Sequence, residues 1–164
     1  MSIETVRSKI LNAWGASPVM LANEIGYPAD GLHLERDAVA LFFAGKDWRD
    51  VSWVELLKYD GDRSACLSFM SPAAYRYYLP SYMLVALDHY LESDVSADSA
   101  WWSLTPPTDP MLEQYWADRV AGFSRLQKDA IFCFLEFMLH EHGNDYTYDK
   151  ERLNNAISYW GKTL

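Results

Sequence analysis

Long apolar runs, paired cysteines and positive charge are what this sequence has least of. No stretch approaches the roughly 20 apolar residues that a membrane-spanning helix needs. The opening residues Met1-Ser2-Ile3-Glu4 hold no basic segment followed by an apolar run. Both absences lead to the expectation of a cytoplasmic protein without a membrane partner. Its two cysteines, Cys66 and Cys133, lie far apart in apolar contexts without Cys-x-x-Cys spacing, which fits reduced, buried thiols. Lys and Arg number 14 against 23 Asp and Glu, a formal charge of −9. Such a chain repels phosphate backbones and anionic lipid heads, which excludes nucleic acid and favours a basic protein or a cationic ligand.

Catalytic signatures are also missing. The sequence holds no Gly-x-Ser-x-Gly elbow, phosphate-cradling glycine loop, His-Glu-x-x-His or calcium loop. His140-Glu141-His142 attracts attention as a metal site, but residues two apart on a helix point roughly 200° away from each other. Glu136 and His140 are one turn apart and could share an ion in a metal-assisted hydrolase. They also continue a polar stripe with Arg125 and Asp129, as a solvated face would. His89 beside Asp88 is the other candidate acid–base pair, and Arg76 between two tyrosines reads as a cation held within aromatic structure. None of these calls for a metal or a cofactor.

What is abundant is apolar and aromatic matter. Half of the 164 residues are apolar, with 7 Trp, 11 Tyr and 7 Phe, enough for one continuous core over residues 1–164. The pattern is helical. Ile3, Val6, Ile10, Leu11 and Trp14 repeat on one helical face, and Gly15 ends it. Breakers from Gly15 to Gly31 imply a long irregular connection. A second helix from Leu34 stops at Gly45, which can take the left-handed conformation that closes a helix, and a short one follows near Ser52. Ala65 to Met70 reads as extended, and Ser71-Pro72 opens a helix that Pro80 interrupts and restarts. The segment between Ser93 and Pro110 reads as a surface loop carrying Trp101-Trp102. Asp109-Pro110, Ser124 with Gln127, and Asp149 start the last three helices. The expectation is an all-α, single-domain orthogonal bundle of about six to eight helices, with a central apolar helix near 124–142.

One distribution points to function. No Lys or Arg occurs from Tyr77 to Asp118, a span with seven acids. Aromatic anchors ringed by carboxylates suit a surface that captures a basic protein through long-range attraction. The expected contact residues are Asp88, Glu92, Asp94, Asp98, Trp101, Trp102, Glu113 and Asp118. The opposing expectation is that these acids form a solvated face and the aromatics are core. A small, acidic, cytosolic chain with such a surface fits an immunity or inhibitor protein that neutralises a toxin or effector; a regulatory or scaffold module fits as well.

Phe43-Ala44-Gly45-Lys46-Asp47-Trp48 and the run from Leu67 to Met83, strongest at Arg76-Tyr77-Tyr78-Leu79-Pro80 and continuing weakly into Gln127 and Phe134-Leu135-Glu136, together resemble a family of small uncharacterised bacterial proteins. The resemblance implies a bacterial origin and supplies no catalytic residue.

Overall fold

A computed structural model describes residues 1–93, 95–145 and 150–164. It is 70% helical, with no strand among the described residues, and eight of its helices have seven residues or more. The fold is all-α. Ten α-helices follow in order: α1 (Ile3–Ala13), α2 (Ala22–Ile25), α3 (Leu34–Phe43), α4 (Trp53–Leu56), α5 (Pro72–Asp88), α6 (Tyr90–Ser93), α7 (Val95–Ser103), α8 (Glu113–Val120), α9 (Arg125–His142) and α10 (Lys150–Lys162). Short 3-10 helices occupy Trp48–Asp50, Arg63–Phe69 and Pro110–Leu112.

The local start and stop signals act as their chemistry dictates. Ser2, Ser52, Ser71 and Ser124 each accept a backbone N–H from the third residue on, and Gln127 returns the bond to the Ser124 N–H. Gly45 follows α3 at φ +73°, a conformation that glycine adopts without steric cost. The cap expected at Asp149 lies outside the described residues.

Helix α9 is buried along most of its length, through Ala130, Ile131, Phe134, Leu135 and Met138, and packs on α1 and α10. The element that most others surround is α5. It packs against α1, α2, α6, α7, α8 and both of the first two 3-10 segments. Its low amphipathicity follows, since a helix covered on every side needs apolar residues all round. One buried cluster runs from Val6 on α1 to Trp160 on α10. The two sequence runs that carry the family resemblance meet in it. The Tyr78 hydroxyl donates to the Phe43 carbonyl at 2.8 Å, and Ser81 Oγ donates to Trp48 O at 2.5 Å.

Three expectations are corrected. Residues 65–69 are part of a 3-10 helix; Met70 follows it in extended conformation, and pairing there is a single bridge to Gly26. Pro80 does not interrupt α5, which runs unbroken from Pro72 to Asp88. Proline lacks the N–H that would reach the carbonyl of Arg76 four residues back. The indole N–H of Trp14 supplies that bond instead, at 2.7 Å. Finally, the Ser93–Pro110 segment contains a buried helix, α7, whose residues Ser96 to Trp101 are all nearly solvent-free. Its polar side chains bond to their own helix: Ser99 to Ser96 O, Ser103 to Ala100 O and Thr105 to Trp101 O. The carbonyls at its end are met by indoles from other helices, Ser103 O by Trp116 and Leu104 O by Trp160. Helix-end carbonyls lack intrahelical donors, so these tryptophans satisfy what the helix cannot.

Candidate functional site

Helix α8 divides the acidic span into two faces. Leu112, Tyr115, Trp116 and Arg119, spaced three and four apart, face a hollow of about 350 Å³. Its other walls come from the second 3-10 helix at Leu67 and Ser68, from α7 at Ser99 and Trp102, from the Thr105–Asp109 connection and from α10 at Arg152. A second hollow of about 410 Å³ shares Ser68, Leu112 and Tyr115 with the first and continues past Met111 to Tyr27, His33 and Arg36. The two form one groove with Tyr115 as its ridge. The Tyr115 hydroxyl donates to Ser68 O at 2.6 Å, and its ring meets Tyr27 edge-on at 5.7 Å.

Beneath the ridge lies Arg119, only 3% exposed. Its guanidinium donates to the carbonyls of Leu67, Ser68 and Met70 at 2.8 to 2.9 Å. Tyr115 covers it at 4.0 Å and Tyr75 at 5.0 Å. Burial lowers its pKa from the usual arginine value, and the same burial pushes Tyr75 up to about 12. Sequence reasoning missed Arg119. Its only signal was position, as the first cation after forty-two residues without one.

Above the groove, residues 108–114 are all exposed. Asp109 caps the 3-10 turn by accepting the Met111 N–H at 2.9 Å, which holds Met111 at 88% and Leu112 at 49% exposure. Trp102, 39% exposed, lies at the groove edge with its ring edge-on to Trp101. Glu113 and Asp118 are exposed on α8 but do not line the groove, and Asp118 accepts from Gln114 at 2.6 Å.

The remaining expected contact residues are not gathered there. Trp101 is fully buried and Asp98 is 5% exposed, the indole N–H donating to the Asp98 carboxylate at 3.3 Å. Neither side chain is surface. Asp88 takes both carboxylate oxygens to Arg7 of α1, so it is compensated by a cation distant in sequence and does not orient His89. Glu92 is exposed, and Asp94 lies outside the described residues. The acidic span therefore splits into core, paired and exposed parts.

The other candidates hold simpler contacts. Glu136 and His140 are exposed, His140 lies 2.7 Å from Glu141, and no group of three metal-ligating side chains occurs among the described residues. Arg76, expected within aromatic structure, donates instead to the backbone carbonyls of Asp118 and Arg119 at the end of α8. Both cysteines are free thiols, and burial pushes that of Cys66 up to about 11. No helix is long and apolar enough to cross a membrane among the described residues.

Residues 31–164 match the family described as Family of unknown function (DUF6714). No curated protein and no solved structure matches the chain.

Proposed function

We propose, for a chain that belongs to this family of unknown function, that it is a protein-binding protein of the immunity or inhibitor kind, neutralising a basic toxin or effector in a bacterial cytoplasm. The contact surface is the shoulder of residues 108–118 with Trp102. The observation that carries this reading is the fully exposed run 108–114, which places Met111 and Leu112 in solvent beside the exposed acids Asp109 and Glu113. Exposed apolar anchors with a polar rim are what a protein interface requires. Asp109, Glu113 and Asp118 supply that rim, and their sign matches the net charge of −9, so a basic partner is attracted from a distance.

The test is a binding measurement with the product of the adjacent gene, since an inhibitor is commonly encoded beside its target. Met111→Asp should speed dissociation by placing a charge in the buried centre. The double variant Glu113→Lys, Asp118→Lys should slow association by about tenfold at low salt. A complex that forms with unchanged rates in all variants rules out this shoulder as the contact surface.

A further inference from the structure

We propose that the hollow between α7 and α8 binds a small organic anion, a carboxylate carried on a flat apolar body. This goes beyond the protein-binding reading, which concerns the shoulder above. Arg119 forms part of the hollow's lining and is nine-tenths buried or more. Buried charges are ordinarily paired with an opposite charge. Among the described residues no carboxylate lies within ion-pairing distance of Arg119, and the groups that act on its charge are tyrosines. Three carbonyl dipoles hold its Nη atoms, while its Nε–H has no acceptor. An unsatisfied buried donor on a full positive charge, beside a hollow of about 350 Å³, is the environment an anion stabilises.

The rest of the lining selects the ligand's shape. Trp102 and Trp116 offer ring surfaces, and Thr108 offers a hydroxyl. Asp109 lines the hollow and repels an anion, while Arg119 and, from α10, Arg152 bring positive charge to its wall, which directs the carboxylate away from Asp109 and leaves the apolar body beside Trp102. The contrast with the exposed acids of α8 is one of depth. Negative charge lies on the shoulder and positive charge below it.

Benzoate, benzamide and benzylamine share one ring and differ in charge, so titrating each into the full chain isolates the electrostatic part. With calorimetry for affinity and the indole N–H resonances of Trp102 and Trp116 for location, benzoate should bind saturably and shift both. Benzamide should bind about tenfold more weakly or worse, and benzylamine should show no binding. Leu112→Trp, which fills the hollow from its half-exposed edge, should abolish benzoate binding at unchanged melting temperature. Equal affinity for benzoate and benzamide, shifts confined to residues outside the hollow, unaltered binding in Leu112→Trp, or no binding of benzoate each overturn the proposal. Met111 does not line this hollow, so Met111→Asp should leave benzoate binding intact while it weakens the protein complex, which separates the two readings.

Discussion

Trp14 and Pro80 form a pair that works only because each lacks what the other needs. Proline removes the donor for the Arg76 carbonyl, and a buried indole N–H requires an acceptor. Trp14→Phe keeps the ring and deletes the donor, so it should destabilise the fold by about 1–3 kcal/mol in urea unfolding. In a Pro80→Ala background the helix supplies its own N–H, and the same substitution should cost less by roughly 1 kcal/mol. Equal costs in both backgrounds would show that the indole bond is incidental. The rule that proline breaks helices is legible in the sequence; its exception is not, because the compensating donor sits sixty-two residues away. Cys66 is the opposite case, since its apolar neighbours foretell its burial. With its thiol pushed up to about 11, little thiolate exists at pH 8, and labelling by a disulfide reagent should be slow until denaturant opens the core. Fast native labelling at Cys66 would contradict this.

At the scale of elements, caps and the apolar α9 were readable, and the burial of polar α7 was not. A cap is made within three residues, so Ser71 and Ser124 announce α5 and α9 without tertiary help. Their weights differ because of what the fold adds. Ser124 is exposed and serves only its own helix. Ser71 is 8% exposed, and besides accepting the Ala74 N–H it donates to Glu24 O at 2.7 Å, which ties α5 to α2. Ser124→Ala should cost about 1 kcal/mol, and Ser71→Ala about 2 kcal/mol, since the latter also removes the bond to the Glu24 carbonyl. Thermal melts of the two variants check the order. Helix α7 was illegible for a related reason. Serine and aspartate mark loops when water satisfies them, but here the serine hydroxyls turn back to carbonyls of their own helix and Asp98 accepts from Trp101, so a polar sequence fits a buried site. The groove inherits this difficulty, as its wall is the same misread helix.

Charge along a sequence becomes a surface only after folding distributes it, and the whole molecule bears this out. Of the seven acids between Tyr77 and Asp118, Asp98 is turned inward and Asp88 is paired with Arg7, while Asp109, Glu113 and Asp118 remain outside on the shoulder. The net charge of −9 is unaffected by that sorting, and it makes two opposed predictions about salt. Self-repulsion of like charge destabilises a compact chain, so raising ionic strength, which shortens the screening length from about 30 Å at 0.01 M to about 8 Å at 0.15 M, should raise the urea midpoint. The exposed or half-exposed pairs Arg7–Asp88 and Lys9–Asp129 weaken over the same range, but each contributes only about 0–1 kcal/mol and should not reverse the trend. Association with a basic partner must respond in the other direction. Attraction across solvent is what speeds encounter, and screening it should lower the association rate by about tenfold or more while the dissociation rate changes little. Measured together on one preparation, a rising midpoint with a falling association rate identifies the shoulder's acids as a steering field. A rate insensitive to salt would leave Met111, Leu112 and Trp102 as apolar anchors without electrostatic guidance, and the partner would then have no reason to be basic.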